Sequence, residues 1–240
     1  MATITCNCGT TQITFPTSIP RSHCKCCCDT CYDRFTVLEK DADASKTPRK
    51  DKAVTWLNFD NNMVVKSTQG IEGGSLLYFY KINTLDAPVT NAASKCCETL
   101  MFLRCPYYHY NAVAVPAPET QTASGACAGG KLSDYDENSL PLPYFISFRK
   151  GREQFDTLFE DEPHLASVSD IWMKEDGSGF DGTEGWEANL ATATGKLQAD
   201  VVLQEGGKSD EELLEDVGGK EAVIVLQMKN VGDEKGAEDM

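Results

Sequence analysis

Eleven cysteines, all at or before Cys127, restrict what this 240-residue chain can fold into more than any other feature. Seven of them fall within residues 6–31: Cys6, Cys8, Cys24, Cys26, Cys27, Cys28 and Cys31. The rest are Cys96, Cys97, Cys105 and Cys127. The number is odd, and the start MATITCNCGT has neither the basic region nor the apolar run of a secretory signal. A secreted disulfide scaffold is therefore not expected, and the protein is read as cytoplasmic. A chain of this length can bury roughly 70% of its unfolded surface, so it needs no cross-links to fold. Small buried hydrophobes would account for Cys105 and Cys127, but not for seven thiols in one short segment. Clustered thiols in a reducing compartment point to metal.

Hydrophobic residues make up 41% of the chain and charged residues 25%, which are ordinary globular values. The longest apolar runs, Leu76 to Tyr80 and Ala222 to Leu226, are far too short to span a bilayer. The net charge of −15 is carried by residues 160–240, which hold 21 acidic and 6 basic side chains. The preceding residues are neutral, with 16 of each sign. Nucleic acid and anionic membrane are thus excluded as expected partners, since both need a surplus of Lys and Arg. The acidic third is read as a solvated face.

Short β-branched and aromatic segments recur between Gly, Pro, Asn and Asp, and predict a mainly β protein with few short helices. The expected strands are Thr3–Thr5, Thr11–Phe15, Phe35–Leu38, Val54–Phe59, Met63–Ser67, Leu76–Ile82, Leu100–Arg104, Ala112–Val115, Tyr144–Phe148 and Glu221–Lys229. Asn61-Asn62 reads as a hairpin tip, and the Pro-, Gly- and Ser-rich residues 116–143 as a long mobile loop. Helices are expected at Arg152–Glu160 and at Asp210–Val217, the latter capped by Ser209 and stopped by Gly218-Gly219. The expected organisation is a zinc-binding β domain over residues 1–172, then an acidic extension over 173–240 carrying a helix and a strand.

Two cysteine constellations have ligand spacing. Cys6-Asn7-Cys8-Gly9 forms a tight turn in which Gly9 frees the backbone to fold around an ion. Two sulfurs do not make a site, so a second pair must come from elsewhere. Cys96-Cys97, just before the strand at Leu100, is the best source. Adjacent cysteines seldom share one ion, so Cys97 with Cys105, or with His109, stays open. Four thiolates from two distant segments would close a structural zinc and pin the sheet. The second constellation is Cys26-x-Cys28-x-x-Cys31, three thiolates from one loop with the fourth position open, as in catalytic zinc sites. Cys24 or His23 filling that position would make the site inert. A redox reading of Cys28-Asp29-Thr30-Cys31 is disfavoured because the following YDRFTVLE leans toward strand, where C-x-x-C needs a helix.

C-x-C-G near the N-terminus, then C-x-C-x-x-C some twenty residues on, then a late cysteine pair before a strand, resembles the glutathione-dependent formaldehyde-activating enzyme family. That family is related to the centromere protein V domain. The resemblance covers roughly residues 1–150, and SLLYFYKI at Ser75–Ile82 also sits where the family has a strand. It implies an Mss4-like fold of zinc-pinned antiparallel sheets, a tent or sandwich. It also implies two zinc ions per chain: a structural one on Cys6, Cys8, Cys96 and Cys97, and a catalytic one on Cys26, Cys28 and Cys31. The chain departs from the family in two places. The family's late pair is usually C-x-x-C-G, where this chain has vicinal Cys96-Cys97 and then Glu98. After C-x-C-x-x-C the family usually has a basic pair and a glycine, where this chain has Tyr32-Asp33-Arg34-Phe35.

The activity the resemblance implies is that of a carbon–sulfur lyase. Its substrate would be a small carbonyl compound or its adduct with glutathione or another thiol, with sulfur or adduct oxygen held at the open position. His23, Asp29 and Tyr32 border that loop and are the candidate proton-transfer groups. Arg149, Lys150 and Arg152 form the one local basic cluster, suited to a carboxylate ligand. The alternatives are a relative that dehydrates or closes a ring in a small metabolite without glutathione, and a non-catalytic zinc module that binds a protein partner. A homo-oligomer is compatible with each.

Overall fold

Residues 1–26, 29–38, 48, 53–68, 76–87, 89–104, 112–120, 122, 124, 126–140, 212, 215 and 222–228 are described by a computed structural model. They build two sheets and one α-helix of continuously described residues. The smaller sheet has four antiparallel strands: β1 (Thr3–Thr5) lies between β10 (Lys131–Ser133) and β2 (Thr11–Thr14), and β5 (Val64–Ser67) pairs with β2. The larger sheet has seven. From one edge it runs β3 (Ser22–Cys26), β4 (Val54–Asp60), β9 (Ala112–Pro116), β8 (Leu100–Arg104), β7 (Thr90–Ser94), β6 (Leu77–Ile82) and β11 (Ile224–Leu226). All its pairings are antiparallel except β11 on β6, which is parallel.

Strand alternation puts apolar side chains of both sheets on facing surfaces, and these make the core. Ile4 and Ile13 of the small sheet meet Leu57, Phe59, Leu77, Phe79, Phe102, Val113 and Val115 of the large one, all buried. Phe15 stacks on Phe59 at 4.7 Å between ring centroids, and Phe79 meets Phe102 edge-on at 5.9 Å. A register shift between Ala92 and Ala93 lets Met101 and Phe102, neighbours in sequence, both enter this core. Phe59→Ala would leave a cavity beside Phe15 and should cost about 3–5 kcal/mol, read as a lower urea midpoint at unchanged slope.

The other face of the large sheet is covered by α1 (Asp29–Thr36). Phe35 stacks on Trp56 at 5.8 Å, and the Tyr80 hydroxyl donates to the Arg34 carbonyl oxygen at 2.9 Å. Cys24 pairs with Trp56 and Cys26 with Val54, so both cysteines stand on the α1 side of β3. His23 and Lys25, the alternate residues, face the other way.

The mainly β expectation holds, and its particulars change in four places. Phe35–Leu38 is not a strand, because α1 runs through Thr36 and buries Phe35 and Leu38. Three strands carry too little apolar periodicity to be anticipated: β3, β7 and β10. Asn61-Asn62 is not a hairpin tip. The strands it joins lie in different sheets, so Asn61 is a buried corner. The stretch 116–143 is not a free loop either: β10 pairs with β1 there, and Ala117, Thr120, Thr122 and Ala128 are buried. Within Glu221–Lys229 the strand is β11. It is held at its exit by Asn83, whose backbone adopts φ +64°. The Asn83 amide donates to the Leu226 carbonyl at 2.9 Å, and its side-chain oxygen accepts from the Met228 amide at 3.0 Å. The Tyr144–Phe148 strand, the Arg152–Glu160 helix and the boundary near 172 lie outside the described residues. Of Asp210–Val217, only Glu212 and Glu215 are described, and both are helical.

Candidate metal centre

The turn between β1 and β2 is short because Gly9, at φ +79°, returns its amide to the Cys6 carbonyl at 2.9 Å. That reversal brings the Cys6 and Cys8 sulfurs to 3.5 Å. The turn between β7 and β8 does the same by another route. Glu98 takes φ +53°, and its amide donates to the Ser94 carbonyl at 2.9 Å. Cys96 and Cys97 then project toward the first turn. Cys96 Sγ lies 3.5 Å from Cys6 Sγ, 3.3 Å from Cys8 Sγ and 3.9 Å from Cys97 Sγ. The Asn7 amide donates to Thr99 Oγ1 at 3.1 Å and joins the two turns directly.

All four sulfurs lie within 4.8 Å of one another, and among the described residues no other group of three or more His, Cys, Asp or Glu meets that test. A tetrahedral zinc with Zn–S near ~2.3 Å requires sulfur–sulfur edges of about 3.8 Å. The four edges given above, 3.3–3.9 Å, fall near that value, and the remaining two lie within 4.8 Å. Polar groups around them match the negative charge of four thiolates. The Thr11 amide donates to Cys6 Sγ at 3.2 Å, and hydroxyls of Thr10, Thr11, Ser94 and Thr99 lie 3.1–3.4 Å from Cys8, Cys96 or Cys97. Burial pushes the Cys6 thiol up to about 12. Burial also opposes ionisation of Cys97, but hydrogen bonds with Ser94, Thr99 and Cys8 together outweigh it and bring that thiol down to about 6. Thr10 lowers Cys8. The same centre thus holds two thiols whose ionisation is favoured, Cys8 and Cys97, beside one, Cys6, whose ionisation burial opposes.

Among the described residues, Cys96 and Cys97 both reach the cluster, while Cys105 and His109 lie outside the described residues. Vicinal cysteines can share one site here because the positive φ of Glu98 coils the chain under them. That conformation costs a non-glycine residue about 1–2 kcal/mol. Glu98→Gly should therefore stabilise the protein by about 0.5–1 kcal/mol after its larger unfolded-state entropy is counted, raising the melting temperature by about 1–4 °C at unchanged metal content.

The second constellation is distributed over two elements. Cys26 ends β3 and Cys31 lies in the first turn of α1, both buried, with Cys24 one alternation earlier on the same face. Cys27 and Cys28 lie outside the described residues, as do Arg149, Lys150 and Arg152. Asp29 opens α1 and Tyr32 is half-buried within it. α1 overturns the premise against a redox reading: Asp29 through Thr36, Cys31 included, is helix and not strand. His23 is buried on the opposite face of β3 from Cys26, and its Nε2 lies 3.6 Å from a Glu119 carboxylate oxygen. Burial opposes ionisation of Glu119, but His23, the residue's own backbone amide and Lys25 together outweigh it and hold the carboxyl below its ordinary range. Glu119 as a partner for His23 was not anticipated, because 96 residues separate them and only the fold of 117–120 across Thr55 brings them together.

A groove of about 370 Å³ lies beside the Ser94–Thr99 turn, lined by Val37, Leu38, Tyr78, Lys95, Glu98, Ile224 and Leu226. It adjoins the C-terminal end of α1, the end opposite Cys31. Among the described residues no helix is long and apolar enough to cross a membrane. Comparison with protein-family models, curated proteins and solved structures finds no match in any of the three.

Proposed function

We propose that the protein is a zinc enzyme related to the glutathione-dependent formaldehyde-activating family, of Mss4-like fold, with one structural and one catalytic ion per chain. The observation that carries this reading is the four-thiol centre. The C-x-C-G turn and the late cysteine pair, which the resemblance assigns to one structural ion, bring four sulfurs within 4.8 Å of one another across two sheets. Support for the second ion is the placement of Cys26 and Cys31 in one buried layer between β3 and α1, on either side of Cys28 in sequence.

Cys26, Cys28 and Cys31 would hold the catalytic ion, which when bound supplies Lewis acidity and stabilises the anion of a coordinated thiol. α1 and Trp56 exclude water from one side of that layer. Asp29 and Tyr32, in the first turns of α1, are the nearest in sequence of the groups able to move a proton there. His23 points away from the layer, so its role is to orient Glu119 and the β3 edge rather than to transfer a proton. The substrate class is a small aldehyde and its thiol adduct: the thiol sulfur bonds to the carbonyl carbon, and the thiol proton ends on the carbonyl oxygen. The test is exchange NMR of formaldehyde with glutathione. The zinc-loaded protein should accelerate adduct formation; a rate equal to the uncatalysed one at two zinc per chain would overturn this substrate assignment.

A further inference from the structure

Of the four thiols, Cys8 and Cys96 form the outward pair: both are exposed, whereas Cys6 is buried and Cys97 half-buried. Their sulfurs stand 3.3 Å apart, closer than Cys6 to Cys8, Cys6 to Cys96, or Cys96 to Cys97. They belong to turns of different sheets, 88 residues apart in sequence. We infer that Cys8 and Cys96 are a redox site, and that peroxide converts them to a disulfide which expels the metal and takes over its role as the link between the sheets. The inference rests on the four-thiol centre, not on the carbon–sulfur reading.

The chemistry balances with hydrogen peroxide as the oxidant. The Cys8 thiolate attacks one peroxide oxygen, the O–O bond breaks, and a sulfenic acid forms as hydroxide leaves. The Cys96 thiolate then displaces hydroxide from that sulfur, and the S–S bond forms. Two thiolates, one peroxide and two protons give one disulfide and two waters, a two-electron oxidation of sulfur and reduction of peroxide. Cys6 and Cys97, the two thiols left, would be too few to hold an ion there. Closing the sulfurs to ~2.05 Å needs little more than ~1 Å of movement. Each turn contains a positive-φ residue, Gly9 or Glu98, close to its cysteine.

The rival product is a vicinal Cys96–Cys97 disulfide. It would close a small ring containing the peptide bond between them, which planarity resists. It would also leave the two sheets unlinked. The two products therefore predict opposite stabilities, and that contrast is the test.

Full-length zinc-loaded protein is treated with hydrogen peroxide. Released zinc is read with a chromogenic chelator, the linkage by mass spectrometry of peptides, and stability by melting. The expected result is a Cys8–Cys96 linkage formed as zinc is lost, with a melting temperature within about 5 °C of the loaded protein. Protein stripped of zinc by chelator under reducing conditions should melt far lower. Thiol reductant with added zinc should restore the starting state. Cys97→Ser should still form the Cys8–Cys96 bond. A mapped Cys96–Cys97 bond, oxidised protein melting as low as the stripped form, or zinc loss with neither bond formed would each overturn the assignment.

Discussion

Removing the metal from the Cys6–Cys8–Cys96–Cys97 centre with a chelator under reducing conditions should lower the melting temperature by about 10–20 °C. Structural zinc contributes about 10–16 kcal/mol in minimal fingers that have no other core. Here a core of both sheets' inner faces persists without the ion, so the expected loss is smaller, about 4–5 kcal/mol, at roughly 2–4 °C per kcal/mol. Loss concentrates at this centre because the two turns meet through the sulfurs and the Asn7–Thr99 hydrogen bond. Cys6→Ser should reproduce the effect, and calorimetry with and without chelator reads both. An unchanged midpoint would mean that the four thiols hold no stabilising ion. The pH dependence follows in sign from Cys6. Burial raises its thiol to about 12, so the proton is still bound near neutrality and must leave when the metal enters. Metal affinity should therefore fall as pH falls, by about tenfold per pH unit for each thiol proton released.

Cys28→Ser should do the reverse. Metal content is expected to drop from two ions per chain to one, and aldehyde–thiol turnover by about a hundredfold or more, while the melting temperature stays within about 2–3 °C. The reason is topological. Cys26, Cys28 and Cys31 come from one short stretch of chain, so an ion held there closes only a local loop and restrains little of the unfolded state. The four-thiol centre closes a loop of 90 residues between Cys6 and Cys96 and joins two sheets. Metal analysis, turnover and melting on the same preparations separate the two sites. If Cys28→Ser destabilised the protein and Cys6→Ser only inactivated it, the assignment of structural and catalytic ions would have to be exchanged.

Much of the fold was legible where local rules apply. β1 and β8 coincide with the residues marked by their β-branched and apolar character, and β4, β6 and β9 differ only at their ends. The misread elements share a physical cause. β3 (SHCKC) has no strong strand former and β7 (TNAAS) only Thr90, and they become strands because neighbouring strands satisfy their backbones. α1 contains β-favouring Tyr32, Phe35 and Thr36, yet packing of Phe35 on Trp56 makes a helix the better burial. β10 is three residues inside a Gly- and Ser-rich stretch, ordered by pairing with β1.

The candidate site divides in the same way. That Cys6 and Cys8 share a tight turn is written in C-x-C-G, because a glycine at positive φ is a local requirement. That the late cysteines supply the second pair was readable as a need for more sulfur, but not which of Cys96, Cys97, Cys105 or His109 would serve. Spacing restrains ligands only over a few residues, whereas the choice among partners 90 residues away is made by strand register. Antiparallel pairing of β7 with β8 places the Ser94–Thr99 turn beside the Cys6 turn, and Glu98 at φ +53° aims both of its cysteines there.

By itself, then, the sequence determined a chain of strands, the two thiol-rich segments and the acidic imbalance, since each depends on neighbours a few residues apart. Only the tertiary structure decided that the vicinal cysteines act together, that a helix backs Cys24 and Cys26, and that His23 faces Glu119. These are outcomes of sheet register and of which face each strand presents. A shift of one residue in a strand's pairing would turn every one of its side chains to the other side.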